Sequence, residues 1–439
     1  MRFREIGMRS PSLPRLILFL LGYGLLAFAA IHIRDEVRLA ALIWPAAGIL
    51  LGTLMVAPYR NWPVWMLIAG TIHVVAGVVS GRTLGTAALF AVIDLAYVFG
   101  IARGWRWKCG ARCDLTQPAS LFWFLGTVIV GSLAGGAILI LALRFNGEQL
   151  RYTDWTTWAM SDGVGCLLGA PLVIAWSNFR VQRSGGINGR QFALGLLWFA
   201  ALLVSGVAVF NPGAAALLFG GVQYSLTYLP LFFVVLLALV WDQRGTTLGL
   251  IMLAALSSVH TVQGDGPFAF PGETLADSLT DLQAYLGAAT VFGLVAVALN
   301  TSRQRALREA AAWRLRYEGA LLASQQVAFE FDPATGRIAW GGPITEVLGV
   351  PPASIATVPD FVARVHEDDR APLHAAFQKR RRGEVSDTGL RLRFRGDDGR
   401  ERDLVETGAP IVDFDGEVYR IEGMLRRETP QVAVAREPA

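Results

Sequence analysis

Apolar and polar positions divide this chain into two unlike stretches. From about residue 15 to residue 300 the sequence is a succession of apolar segments, each near the ~20 residues that cross a bilayer, and after Asn300 it becomes charged. The apolar segments run approximately over 15–31, 39–57, 62–80, 83–102, 119–143, 156–176, 191–210, 226–241, 246–262 and 282–300, which predicts ten crossings. Residues 213–225 are apolar but short and read as a re-entrant or capping piece.

Thr301 to Gln326 reads as a helix leading out of the last span. Leu307, Arg314 and Leu321 recur at seven, with Ala310, Tyr317 and Ser324 at the companion position. Arg314 at a core slot makes this a poor heptad seam, so a linker helix with a dimer contact is expected rather than a robust coiled coil.

From Val327 the period becomes two. Val327–Asp332 and Gly336–Trp340 flank Pro333-Ala334-Thr335 as a hairpin, and Asp360–Phe377 reads as helical. Gly389–Arg395 alternates, turns at Asp397-Asp398-Gly399 into Arg402–Thr407, and Asp415-Gly416 leads into Glu417–Met424. The expected fold is a multi-pass α-helical membrane bundle of about eight to ten helices, followed by an α+β domain with a five-stranded antiparallel sheet. The expected boundaries are 1–303 for the bundle, 304–326 for the linker helix, 327–427 for the soluble domain and 428–439 for a disordered tail.

Composition agrees with a bilayer as solvent: 53% of residues are hydrophobic and 17% charged, with a mean hydropathy of +0.44. A net charge of +4 could suggest nucleic acid, but the arginines sit in short loops, so no nucleic-acid partner is expected. Arg60, Arg103, Arg106, Lys108, Arg112, Arg180, Arg183, Arg190 and Arg244 fall in alternate loops, on the side of the basic N-terminus and of Arg303, Arg305 and Arg308. The opposite loops carry Arg34, Arg38, Arg82, Arg144 and Arg151, and 264–281 has no Lys or Arg. That asymmetry predicts a cytoplasmic membrane protein with both termini in the cytoplasm. Arg2, Arg4, Arg9 and Arg15 before the first apolar run read as an uncleaved first helix rather than a signal peptide. Cys109, Cys113 and Cys166 provide neither a disulfide framework nor a metal site.

The candidate chemistry lies inside the spans. Asp162 interrupts the apolar run 156–176, and an ionisable group at membrane depth is a functional candidate by default. Its alternative reading is an interfacial group bonded to a neighbouring helix. Asp94 and His73 also lie in apolar sequence and need partners, each other or Asp162; for His73 a plain helix–helix hydrogen bond is the competing reading. Gly48-Ile49-Leu50-Leu51-Gly52 and Gly165-Cys166-Leu167-Leu168-Gly169 share a Gly-x-Leu-Leu-Gly core, read first as packing faces and hinting at a parallel internal repeat.

Three motifs in order resemble one family. Trp44-Pro45-Ala46-Ala47-Gly48, the run Trp158–Trp176 with Asp162-Gly163 and Ala170-Pro171-Leu172, and Gly264-Asp265-Gly266-Pro267-Phe268 look like the first class of bacterial membrane-associated sensor (MASE-type) domains, over roughly residues 12–303. The resemblance implies signal reception as the input of sensor kinases or diguanylate cyclases. On that reading Asp162, Asp94 and Trp44 are the expected sensory residues.

The C-terminal segment is similar to a PAS domain of the subclass frequent in bacterial sensors, over about 320–427. Phe331-Asp332, Gly336, Trp340, Val347-Leu348-Gly349, Val365-His366-Glu367-Asp368-Asp369-Arg370 and Asp398-Gly399 carry the likeness, although Glu367 stands where that subclass usually has Pro. His366, Asp368 and Asp369 read as a helix start whose side chains cap free amides. Haem ligation by His366 or His374 is disfavoured without an apolar haem pocket, and a cysteinyl–flavin adduct is excluded because the domain has no Cys. No cofactor is identified and the PAS ligand is left open.

No kinase, cyclase, phosphodiesterase, Walker or nucleophile-elbow signature is found. The expected function is therefore a membrane receptor, homodimeric through the linker helix and PAS domain, that signals in trans to a sensor kinase, cyclase or response regulator. The alternatives are a truncated histidine kinase or diguanylate cyclase, and a transporter.

Overall fold

A computed structural model describes residues 12–32, 43–110, 114–145, 147, 152–177, 189–219, 226–269, 275–385 and 389–428. Arg2, Arg4, Arg9, Arg34, Arg38, Arg112, Cys113, Arg151, Arg180, Arg183 and the tail from residue 429 lie outside the described residues. The chain divides into two compact units, Met1–Arg305 and Ala306–Ala439.

The first unit is helical: α1 (Leu13–His32), α2 (Pro45–Val56), α3 (Trp62–Val79), α4 (Leu84–Cys109), α5 (Pro118–Phe145), α6 (Tyr152–Ser177), α7 (Gly189–Phe210), α8 (Pro212–Phe219), α9 (Leu229–Val240), α10 (Asp242–Val262) and α11 (Leu275–Ser324). Among the described residues eight helices are long and apolar enough to cross a membrane, against the ten crossings expected. The difference lies in α2 and α9, of 12 residues each. At 1.5 Å per residue each reaches about 18 Å, short of a ~30 Å hydrocarbon core.

Both short helices have a physical cause. Pro45 sits at the start of α2 and favours beginning a helix there. At its other end the buried Arg106 guanidinium donates to the carbonyls of Leu54 and Ala57, and Trp62 Nε1 donates to Ala57 O at 3.2 Å. These donors satisfy C-terminal carbonyls and complement the negative end of the helix. Only Trp241 separates α9 from α10, and Asp242 adopts φ +52°, a left-handed conformation uncommon for a residue with a Cβ.

Two apolar cores fill the bundle. One contains Tyr23, Trp44, Leu50, Leu51, Tyr97, Phe124 and Trp158; the other contains Leu202, Phe210, Leu237, Leu250, Leu282 and Leu286. α6 contributes to both, with Cys166, Leu167 and Ala170 in the first and Val164 and Leu168 in the second. It is accordingly the most enclosed of the eight long helices. α11 also serves both cores and runs on without a break, so the last span and the helix expected to lead out of it are one helix. It contains no proline to end it.

The second unit follows α11 with β1 (Gln326–Phe331), β2 (Ile338–Gly341), α12 (Ile344–Leu348), a 3₁₀ turn (Pro352–Ile355), α13 (Val358–Ala363), α14 (Glu367–Arg381), β3 (Leu390–Arg395), β4 (Glu401–Val412) and β5 (Val418–Arg427). The sheet is antiparallel, in the order β2-β1-β5-β4-β3. Inward Val327, Phe329, Phe331, Leu392, Phe394, Leu404, Ile421 and Leu425 pack under Leu348, Phe361, Leu373 and Phe377.

The helix expected over 360–377 is two helices. Between them Arg364 O accepts from Arg395 N (2.9 Å) and His366 N donates to Arg393 O (3.0 Å). Backbone groups that pair with a strand are not available to a helix ladder. β4 outruns its expected end at Thr407 because β5 pairs with it out to Val412↔Val418.

Candidate functional site

The intramembrane polar residues singled out by sequence converge on the first core. His73 stands on α3, Asp94 on α4, Asp162 on α6 and Trp44 just before α2; their exposures are 2, 6, 2 and 6%. His73 Nδ1 lies 3.2 Å from Asp94 Oδ2, and the Trp44 and His73 rings are 4.9 Å apart. Trp44 N donates to Ser161 O at 3.2 Å, which ties the start of α2 to α6 beside Asp162. Asp162 is buried inside the bundle. Its carboxylate is close enough to Asp94 to interact through space, and the Tyr97 hydroxyl is within reach of it and 4.0 Å from Cys166 Sγ.

These groups are incompletely satisfied. Trp44 Nε1, His73 Nδ1, Asp94 Oδ1, Ser161 Oγ and Asp162 Oδ2 are all buried without a well-aligned hydrogen-bond partner. Trp44 Nε1 approaches the Asp94 carboxylate, but the alignment is poor. Buried polar atoms are nearly always bonded, and each exception calls for water, an ion or a functional role.

The two Gly-x-Leu-Leu-Gly segments lie against each other. A Cβ on Gly48 would overlap Gly165 O, and one on Gly165 would overlap Trp44 O. One on Gly169 would come 2.8 Å from Gly48 Cα, and one on Gly52 would come 2.7 Å from Val173 Cβ. The pairs 48 with 165 and 169, then 52 with 170 and 173, run in the same sense, so α2 and α6 pack as parallel helices in backbone contact. Only glycine permits that approach, and it places Trp44 and Asp162 in one site.

The PAS residues form a separate framework. Trp340 Nε1 donates to Ile355 O at 2.7 Å. His366 is the N-cap of α14, its Nδ1 accepting from Asp368 N at 3.4 Å. Asp369 Oδ2 accepts from Arg393 N (2.8 Å) and Nε (3.0 Å), and Arg393 also reaches Asp368 at 3.0 Å. Arg370 donates to Val365 O and Ala363 O at 2.9 and 3.1 Å. These contacts lock the α13–α14 corner onto β3.

Sequence reasoning missed several partners. Tyr97 stands three residues after Asp94, hence on the same helix face, a signal that was available. Tyr23, buried on α1 within electrostatic range of Asp94 and Asp162, had none. The pair Arg380–Glu406, 1% exposed and joined at 2.5 and 2.9 Å, is hidden within the basic run 379–382.

With this geometry in view, comparison with known families is decisive. The MASE1 family model matches residues 15–304. The chain belongs to the MASE1 family. A PAS-fold model matches residues 337–425 of this MASE1 protein. No curated protein matches it. Among solved structures it is similar to the N-terminal domain of a diguanylate cyclase with a PAS/PAC sensor from Marinobacter aquaeolei, at 21% identity over 23% of this chain and 94% of that one, TM-score 0.22. It is also similar to a domain of a light and redox sensing histidine kinase from Haloarcula marismortui, at 22% identity over 26% and 98%, TM-score 0.23. A sensory box histidine kinase/response regulator from Burkholderia thailandensis matches at 25% identity over 26% and 85%, TM-score 0.22. The MASE1 protein is thus a membrane sensor protein carrying a PAS domain.

Proposed function

We propose that this MASE1 protein is a bacterial inner-membrane receptor that detects its stimulus at the Trp44–His73–Asp94–Asp162 cluster and signals through its PAS domain to a separate cytoplasmic protein. The observation that carries the reading is that Trp44, His73, Asp94, Ser161 and Asp162 gather buried polar atoms, each without a well-aligned hydrogen-bond partner, beside the close contact of α2 with α6. A site of this kind changes energy when occupied, and a ligand that prefers one helix arrangement shifts the population toward it. α11 suits the relay: it holds Tyr285, Leu286 and Ala289 in the second core and continues to Ser324, just before β1. Coupling of roughly 1–3 kcal/mol is enough for such a switch.

The output is a sensor kinase, cyclase or response regulator acting in trans, and the PAS unit faces the cytoplasm. A homodimer through α11 and the PAS domain fits the exposed Leu307, Trp313 and Leu315. The experiment is crosslinking and pull-down from native membranes, combined with the Asp162→Ala variant. Recovery of a signalling enzyme dependent on residues 327–427, and loss of response in D162A with membrane insertion intact, are expected. Capture of this chain alone with a normal D162A response would overturn the reading. Solute uptake that vanishes in Asp162→Asn would instead favour a transporter, which the same cluster could serve.

A further inference from the structure

One end of α4 carries positive charge that no carboxylate answers. Between residues 43 and 110 the chain has Arg60, Arg82, Arg103, Arg106 and Lys108, and Asp94 as its one carboxylate. Asp94 meets His73 near the middle of α4, about 14 Å along the helix from Arg103. Arg82 precedes α4 and belongs to its opposite end. Arg106 is turned inward onto the carbonyls of Leu54 and Ala57. Asp114, the next carboxylate along the chain, is held by Arg305 at 2.6 Å. Asp242, where α9 meets α10, lies beside Trp241 and the second core. Arg60, Arg103 and Lys108 remain, all exposed, and none meets a carboxylate among the described residues. The contacts of Arg103 and Lys108 are to rings, each 5.9 Å from its centre: Tyr59 for Arg103 and Trp123 for Lys108.

The place of Arg103 on α4 points to its partner. Val92, Ala96, Phe99, Gly100, Arg103 and Trp107 recur at three and four residues and are all exposed, so they form one stripe along the helix. α4 has 26 residues and is about 39 Å long, more than a ~30 Å hydrocarbon core, so its end reaches the headgroup layer. The stripe is apolar as far as Gly100, where a Cβ would meet nothing within 4 Å, and then turns to a guanidinium and an indole. Tryptophan and tyrosine favour that boundary, and basic side chains there attract anionic lipid. Tyr59 approaches Arg103 from the 3₁₀ turn Tyr59–Asn61, which brings Arg60 of the same turn to this level. We infer that an anionic phospholipid seats here, its acyl chain along Val92, Ala96 and Phe99 and its phosphate on Arg103 and Arg60. A zwitterionic lipid brings its own cation with the phosphate, so the excess positive charge selects a headgroup of net negative charge. A soluble phosphate has no chain for the stripe.

This lipid seat stands or falls independently of the receptor reading. The test titrates phosphatidylglycerol or phosphatidylcholine of identical chains into the detergent-purified full chain and follows retained lipid by native mass spectrometry. Phosphatidylglycerol should be retained in preference. R103Q should raise its half-saturating concentration about fivefold, and R60Q combined with R103Q should raise it further. The charge-conserving R103K, and R144Q at the far end of α5, should keep the preference. No preference in the wild type, or an unchanged preference in the double variant, overturns the inference. Displacement of phosphatidylglycerol by an equal concentration of glycerol phosphate assigns the site to a soluble anion and overturns it as well. Should the variants fail to assemble, a photoactivatable phosphatidylglycerol on the wild-type chain decides. Labels concentrated in residues 92–107, and competed by phosphatidylglycerol but not by phosphatidylcholine, support the seat; labels spread evenly over the outward helices overturn it.

Discussion

Arg305 donates to Asp114 Oδ2 at 2.6 Å and to Thr116 Oγ1 at 2.9 Å, fastening α11 to the turn between α4 and α5. Asp114 is prepared for this: its Oδ1 already accepts from Thr116 N and Oγ1. Burial pushes its pKa up, but the hydrogen bonds from Thr116 and Arg305 outweigh that and hold the carboxyl below the usual range. Since α4 also carries Asp94, the pair links the helix of the polar cluster with the helix that leaves the bundle.

Breaking this link tests whether α11 is the relay. Both side chains are more than a third exposed, so the pair is worth at most about 1 kcal/mol and the bundle should survive its loss. Arg305→Met or Asp114→Asn should leave unfolding nearly unchanged, speed hydrogen exchange in α11 around residues 301–310, and alter signalling output. Unchanged exchange and output in both variants would remove the pair from the pathway.

The α2–α6 contact makes a sharper prediction about glycine. Gly165→Ala and Gly48→Ala place a methyl group into facing backbone and should destabilise the bundle by at least about 1–3 kcal/mol. Gly22→Ala and Gly126→Ala, on α1 and α5 with nothing within 4 Å, should be neutral or mildly stabilising. Thermal unfolding of the four purified variants reads this out. Equal effects at all four positions would refute the close approach.

This contrast shows what the sequence could tell. Glycines four apart announce a packing face, and the repeated Gly-x-Leu-Leu-Gly marked one on α2 and one on α6, but that the two faces meet each other only the structure shows. The order of strands and turns after Val327 likewise foretold the sheet. Hydropathy was blind to where a helix stops: α2 ends at the carbonyls that Arg106 and Trp62 cover, and that requires tertiary contact. Nor could it show that His73 and Asp94, on different helices, stand 3.2 Å apart. The split of α13 from α14 was hidden for a similar reason, because the competing bonds come from β3.

Arg380 and Glu406 hold the PAS interior through a bidentate ion pair, with Gly408 leaving space for the guanidinium. Removing one member strands a buried charge, so Arg380→Met should cost about 3–5 kcal/mol. Arg380→Met with Glu406→Leu replaces the pair by apolar volume and should recover most of that loss. A double-mutant cycle on the full chain, followed by hydrogen exchange in peptides from α14 and β4, measures the coupling. Additive effects would show that the two side chains are not coupled.

Acid should loosen the α13–α14 corner and the β3–β4 turn before neutral conditions do. Side-chain hydrogen bonds from Arg393 hold Asp369 below the usual carboxylate range, and those from Arg402 push Asp398 down to about 2. A carboxyl whose folded pKa is depressed stabilises the fold above its unfolded pKa of about 3.9, and loses that contribution as the pH falls through its folded value. Protection of β3 and β4 amides, corrected for the intrinsic pH dependence of exchange, should therefore hold down to about pH 4 and decline toward about pH 2. Asp398→Asn should lower protection at neutral pH and flatten this decline, because Asn has no proton to gain. An equally steep decline in that variant would place the acid sensitivity in other groups.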